Sequence, residues 1–188
     1  MRRQIEGVEI VVKRISLAGA DCPVARALDV IGDWWSLLII RDAFDGVRRF
    51  GDFQSGLTIA KGMLSSRLRD LVERGVLETK PASDGSAYRE YVLTERGRGL
   101  FLVIVALRQW GEDHLYRPGE PHSTLVGTKG QAVAHLDLRS RDGRALGWND
   151  TRVRKADEEP PRFNRKVLRR AKETRKGKGK GKDSQALP

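Results

Sequence analysis

The segment Lys61-Gly-Met-Leu-Ser-Ser-Arg-Leu-Arg-Asp-Leu-Val-Glu-Arg74, closed at once by Gly75, leaves little freedom in how it folds. Leu64, Leu68 and Leu71 recur at three- and four-residue spacing, which aligns them on one face of a helix, and Met63 and Val72 widen that face. The opposite face offers Gly62, Ser65, Ser66, Arg69 and Glu73. Short polar side chains with basic residues after them allow a helix to approach a nucleic-acid groove and supply donors to phosphate and base edges. An ordinary surface helix carries a similar pattern, so the flanking segments decide between the two.

Upstream, three helices are expected. Pro23 to Ile31 has proline in its first turn and Val24, Ala27, Leu28 and Ile31 at apolar spacing. Asp33 can cap the next, Trp34 to Phe44, which is apolar on most sides and therefore a core helix, with Arg41 and Asp42 on its wet side. Arg49 to Gly56 is a short third helix with Phe50, Phe53 and Leu57 inward. The turn Gly56–Ala60, with Thr58 as the expected cap, leads into the segment 61–74. Helix, short turn, then a helix presenting Ser and Arg is the helix-turn-helix arrangement.

Downstream, Val76–Thr79 reads as a strand and Pro81–Ala87, with Asp84-Gly85, as a turn-rich loop. Tyr88–Leu93 returns, with Tyr88, Glu90 and Val92 on one face and Arg89, Tyr91 and Leu93 on the other. A hairpin directly after such a helix is a wing, whose Lys80 and Arg89 are placed near phosphate or, alternatively, are solvated charges. Thr94 caps the next helix without a capping-box partner, because position 97 is glycine. Residues 98–115 are long and apolar, more than one winged domain needs on a trailing helix, and a partner subunit would cover the surplus. Residues 116–130 form a linker. Gln131–Arg139 alternates as a strand, Arg141–Arg144 turns, and Ala145–Trp148 returns, forming a small accessory β unit.

The 188 residues therefore divide into an N-terminal arm (1–20), a winged helix-turn-helix and dimerisation domain (21–116), a linker with a small β extension (117–157) and a basic tail (158–188). The fold class is α+β. The net charge of +11 is mostly a tail property. Residues 161–188 hold eleven Lys/Arg against two Asp/Glu, leaving 25 basic and 23 acidic residues in the first 160. Within that tail Arg162–Lys176 can form a basic helix on an anionic partner. Lys176–Lys182 alternates Lys with Gly, reads as a disordered polycation and strengthens non-specific, salt-sensitive contact with nucleic acid, or merely solubilises. No signal peptide and no run of 18 apolar residues is present, and Cys22 is the sole cysteine, so a cytoplasmic, nucleoid-associated protein without an internal disulfide is expected.

Four separated motifs occur here in an order that strongly resembles the HxlR-type family of bacterial winged helix-turn-helix transcription regulators. They are the run from Cys22 to Phe50, the run from Leu64 to Leu77, Tyr91-Val-Leu-Thr-Glu-Arg-Gly97 and Trp110-Gly-Glu-Asp-His114. The resemblance covers about residues 20–116. It implies a homodimer joined by the N-terminal and trailing helices, with Leu100, Phe101, Ile104, Leu107 and Trp110 at the interface. It implies one recognition helix per subunit in successive major grooves of a pseudo-palindromic operator, and repression more often than activation. Arg48 and Arg49 stand where the family keeps basic residues, and Ser65, Ser66, Arg67 and Arg69 fall on its recognition helix. Lys61-Gly62 departs from the Pro-containing pairs frequent there, and Trp34 departs from the usual Lys or Arg. The DNA-binding set is thus Arg48, Arg49, Lys61, Gly62, Ser65, Ser66, Arg67, Arg69, Lys80 and Arg89.

Cys22 matches a cysteine with which some members of the family sense electrophiles or oxidants. That chemistry needs an accessible, acidic thiol, which the helix start and Arg26 would favour; a small buried hydrophobe at a dimer seam is the other reading. A redox or small-molecule effector is accordingly expected as a partner. No cofactor, metal or catalytic group is expected. His114, His122 and His135 are scattered without metal-ligand spacing, and the Lys/Gly repeats lack a strand-turn-helix context. The competing class is a non-specific architectural DNA-binding protein that relies on its tail.

Overall fold

The computed structural model describes residues 16–158. The N-terminal strand expected at Gly7–Lys13, the Pro160-Pro161 break and the tail segments beyond it lie outside the described residues. The chain divides into two compact units between Val133 and Ala134.

The first unit begins with α1 (Pro23–Ile31), which has Pro23 in its first turn and stops at Gly32. A Cβ on Gly32 would lie 2.3 Å from the Leu28 carbonyl oxygen, so the close C-terminal turn requires glycine. Of the expected apolar stripe only Ile31 is buried, and Val24 is 65% exposed. The inner face instead carries buried Asp29, which accepts from the Leu17 N–H at 2.8 Å and pairs with Arg74 at 3.0 Å. In α2 (Trp34–Phe44), Asp33 caps the Ser36 N–H at 3.0 Å, as expected. Ile39 and Ile40 are fully buried. Asp42, expected on the wet side, is also buried and holds Arg41, while Trp34 at the other end is 65% exposed and stacked on Trp35.

The helix-turn-helix consists of α3 (Phe50–Leu57) and α4 (Lys61–Glu73). Phe53, Leu64, Leu68 and Leu71 close the core between them and α2. Met63, expected to widen the apolar face of α4, is 44% exposed, because it lies to one side of the Leu64–Leu68–Leu71 line that meets the core. Thr58 does not cap α4. It ends α3 in a left-handed conformation (φ 51°), and the N-cap of α4 is Ala60, without a side-chain partner. At the far end Gly75 (φ 67°) permits a tight reversal: its N–H reaches the Val72 carbonyl at 2.9 Å and the Val76 N–H reaches Leu71 at 2.9 Å.

That reversal starts the wing. β1 (Leu77–Pro81) pairs antiparallel with β2 (Arg89–Leu93), Leu77 opposite Leu93 and Pro81 opposite Arg89. The Tyr91 N–H donates to the Arg48 carbonyl at 2.8 Å, tying β2 to the chain just ahead of α3. Thr94 caps α5 (Glu95–Arg98) through the Gly97 N–H at 3.0 Å, and its hydroxyl donates to the Gly75 carbonyl at 2.7 Å. The chain turns at Gly99-Leu100, and the long trailing helix α6 (Phe101–Leu115) follows. Leu100 and Ile104 pack against the core.

Beyond α6 the first unit continues as irregular chain, held where Arg108 donates to the carbonyl of Ser123 at 2.8 Å. The strands expected at Gln131–Arg139 and Ala145–Trp148 do not form: pairing is confined to single bridges, Val126 with Ala132 and Arg139 with Ala145. In the second unit the turn at Arg141–Arg144 is present, with Gly143 at φ 91° and the Ser140 N–H on the Arg144 carbonyl at 2.9 Å. The Ser140 hydroxyl donates to Asp142 and holds that carboxyl below the usual Asp range. Residues Trp148–Asp150 make one 3₁₀ turn in place of the return strand.

Candidate nucleic-acid interface

The three buried leucines of α4 determine which of its residues face outward. Lys61, Gly62, Ser65, Ser66 and Arg69 are all exposed. Among the described residues none of the Lys61, Ser65, Ser66 and Arg69 side chains is engaged in a hydrogen bond or ion pair. A Cβ on Gly62 would meet nothing within 4 Å, so internal packing does not require glycine there. The result is a low, uncommitted polar surface flanked by two cations, with hydroxyls between them.

Arg67 lies apart from that surface. It is turned toward the body of the domain, 3.3 Å from Asp33 and 3.2 Å from Asp70. The other basic residues singled out from the sequence are each held by a neighbour. Arg48 lies 3.6 Å from Glu90, Lys80 2.9 Å from Glu78, and Arg49 is hydrogen-bonded to Asp84 at the wing tip. Arg89 donates to the Thr79 carbonyl at 3.1 Å and to its hydroxyl at 2.9 Å. Arg48, Lys80 and Arg89 are exposed and Arg49 is half-buried, and pairs of this kind are worth little in water, so their unused N–H donors can still meet phosphate.

Two carboxylates that the sequence reading passed over organise this region. Asp84 was legible only as half of an Asp-Gly turn. Its hydrogen bond from Arg49, with two more from Ser86, holds its carboxyl well below the ordinary value of 3.8 and raises the Arg49 pKa in return. Glu90 is buried on β2. It accepts from the backbone N–H of Ser83 at 3.1 Å and from its hydroxyl at 2.9 Å, which with Arg48 lowers its pKa from 4.5. The wing is thereby fastened to the N-terminal end of α3 by side chains as well as by the Tyr91–Arg48 backbone bond. The alternation of Glu90 with Arg89 was visible; that the acidic position turns inward was not.

The expected interface residues of the trailing segment separate. Leu100 and Ile104 are half-buried on the core, and Phe101 meets Phe44 edge-on at 5.2 Å between ring centres. Leu107 and Trp110 stay exposed, joined by Leu102 at 60%. Cys22 is exposed and its side chain caps nothing; Arg26 donates through Nε to the Ala20 carbonyl. Among the described residues no group of three or more His, Cys, Asp or Glu could hold a metal, and no helix is long and apolar enough to cross a membrane.

Comparison with known proteins agrees with this geometry. Residues 30–118 match the HxlR-like helix-turn-helix model. The chain is 52% identical over 98 residues to Rv3095 of Mycobacterium tuberculosis H37Rv, an uncharacterised HTH-type transcriptional regulator, covering 52% of this chain and 62% of that one. The match thus spans less than two thirds of the mycobacterial relative. YdeP of Bacillus subtilis, also an uncharacterised HTH-type transcriptional regulator, is 36% identical over 94 residues, 50% of this chain and 73% of its own. The crystal structure of PA1607, described as a candidate transcription factor, superposes with a TM-score of 0.70 at 54% identity, covering 73% of this chain and 97% of that one. PA1374 from Pseudomonas aeruginosa, described in the same terms, gives 0.52 at 36% identity, covering 77% and 99%. These structural likenesses cover more of the chain than residues 30–118 supply, so they extend into the flanking segments.

Proposed function

The chain belongs to the HxlR-like helix-turn-helix family, and from that premise we propose that it is a dimeric, sequence-specific double-stranded-DNA-binding transcriptional regulator that acts as a repressor. The observation that carries the reading is the polar face of α4, exposed and uncommitted while the opposite face is locked into the core. Ser65, Ser66 and Arg69 address base edges in the major groove, and Lys61 addresses phosphate. Arg48, Arg49, Lys80 and Arg89 contact the backbone from the wing side with the donors their internal partners leave unused. Arg67 contributes by holding α4 against α2. Repression then follows from occupancy: a bound dimer excludes other proteins from the operator.

A homodimer is supported by the apolar surface left on α1, α2 and α6. Val24, Trp34, Leu102 and Trp110 are each more than half exposed, a pattern that a partner subunit relieves. Cys22, exposed beside α1, is the residue on which a thiol-reactive effector would act. Selection of bound sites from random duplex DNA tests the whole reading, run with the full chain and with residues 158–188 removed. Enrichment of one pseudo-palindromic motif by both supports it. Binding that shows no sequence preference and disappears on truncation would instead establish the architectural alternative.

A further inference from the structure

At the base of the wing the surface opens into a cavity of about 470 Å³. Its walls come from the end of α2 and the turn after it, from β1, from β2 and from α5, and they carry three cations, Arg48, Lys80 and Arg98. None of the lining residues is acidic. A cleft lined by one sign of charge concentrates counter-ions.

Tertiary contacts bring the three cations together. The Tyr91 N–H on the Arg48 carbonyl, at 2.8 Å, lays the chain before α3 along β2, and the pairing of β2 with β1 adds Lys80. Gly97 lets α5 approach the Val76 carbonyl so closely that no side chain would fit, which sets Arg98 beside the end of β2. Their charges are not equally compensated. Lys80 lies 2.9 Å from Glu78, and Arg48 lies 3.6 Å from Glu90, a carboxylate that already accepts two hydrogen bonds from Ser83. Arg98 has no carboxylate partner among the described residues. Its Nη1 donates to the Leu93 carbonyl at 3.0 Å, which orients the guanidinium without neutralising it. Two carboxylates thus face three cations, and the charge left over is that of Arg98.

We propose that this cavity is an oxyanion site that holds one phosphate group, with Arg98 as its principal ligand and Arg48 and Lys80 beside it. A phosphate supplies the missing negative charge and accepts the N–H donors that the Leu93 carbonyl leaves unused, in the forked geometry that guanidinium and phosphate share. That phosphate belongs either to a duplex backbone or to a free phosphate compound. In the first case the inference rests on the DNA-binding reading and adds Arg98 to its contacts; in the second it stands apart from it.

The test uses the full chain and two matched variants. Arg98→Gln removes the charge from the cavity. Arg96→Gln makes the same change on the same helix at an exposed residue that does not line the cavity. The first measurement is the salt dependence of duplex binding, with the selected site and a scrambled duplex. Arg98→Gln lowers the slope by about 1 and weakens both duplexes alike, and Arg96→Gln does neither. The second is a phosphorus NMR titration with inorganic phosphate, in which Arg98→Gln weakens binding by about ten-fold and Arg96→Gln leaves it unchanged. A slope change confined to Arg98→Gln identifies the duplex as the source of the phosphate. Weakened phosphate binding confined to that variant, with the slope unchanged, identifies a free phosphate compound. If Arg98→Gln fails to melt cooperatively, Lys80→Gln removes a charge from another wall and is read in the same way. If the cavity variant and Arg96→Gln behave alike in both measurements, the proposal is overturned. A wild type without sequence preference removes only the DNA-binding reading, because the phosphate titration still decides this one.

Discussion

Arg67 of α4 stands 3.3 Å from Asp33, the residue that caps α2, and so joins the start of one helix to the middle of another. Arg69, two residues on, has no such partner among the described residues. Two arginines of one short motif are thereby given opposite roles. Replacing Arg67 with Ala should lower stability by about 1 kcal/mol while leaving the preferred DNA sequence unchanged. Replacing Arg69 with Ala should leave stability within about 0.5 kcal/mol and weaken the preferred site by about 1–3 kcal/mol, with relaxed preference at one position per half-site. Urea denaturation and site selection on both variants check the pair. If Arg67→Ala alters the preferred sequence while Arg69→Ala does not, the roles are reversed.

The wing should loosen in acid. Asp84 and Glu90 have native pKa values below their ordinary 3.8 and 4.5, the first chiefly through Arg49 and the second chiefly through Ser83. The unfolded chain therefore takes up protons more readily, so lowering the pH favours unfolding. Their contribution is complete above pH 4.5 and is lost as the pH falls toward the depressed native values. Chemical denaturation from pH 7 to pH 3 should show wild type and Glu90→Gln converging as the pH drops below 4.5. A stability gap that stays constant across this range contradicts the assignment.

Two glycines make a matched control. A Cβ on Gly97 would lie 2.2 Å from the Val76 carbonyl oxygen, a backbone atom that the wing cannot move aside. Gly97→Ala should therefore destabilise by about 1–3 kcal/mol or more. At Gly62 there is open space, and alanine should leave thermal stability unchanged or raise it by up to about 1 kcal/mol. If Gly62 serves close approach to DNA, the same substitution weakens DNA binding. Melting curves and one binding titration separate the two effects.

Subunit association should depend on the exposed side of α6. Leu102→Glu and Trp110→Glu place a charge at residues that are 60% and 55% exposed, so the isolated fold should tolerate them. Sedimentation velocity should then show a monomer that melts cooperatively, with operator affinity reduced by at least about ten-fold through loss of the second half-site. An unchanged dimer in both variants would place the interface elsewhere.

Much of the domain was legible in the residues because its elements carry their own signals. The three-four spacing of Leu64, Leu68 and Leu71, Pro23 and Asp33 at helix starts, and Gly75 at a helix end are local constraints, and α1, α2 and α4 occupy the expected spans. Spacing also marked which face of α4 is polar. It did not reveal which charges are already spent, because ion pairs such as Arg49–Asp84, Arg74–Asp29 and Arg67–Asp33 join residues 34 or more apart in the chain.

Periodicity alone misled where a helix is amphipathic toward something other than its own core. In α1 the apolar spacing runs through Val24, Ala27, Leu28 and Ile31, yet of these only Ile31 is buried, beside Asp29, which is neutralised by Arg74 from the end of α4. Alternation over Gln131–Arg139 suggested a strand, but a strand needs a partner in register, and the described chain offers only isolated bridges. Thr58 was assigned to the helix after it, although backbone geometry makes it the left-handed end of the helix before. Local sequence thus determined where the elements lie and which surfaces are apolar, because helix periodicity, capping and turn formation act over a few residues. Tertiary structure alone decided which apolar faces stay open, which arginines remain free for a ligand, and which glycines are obligatory, because those depend on atoms brought together from distant parts of the chain.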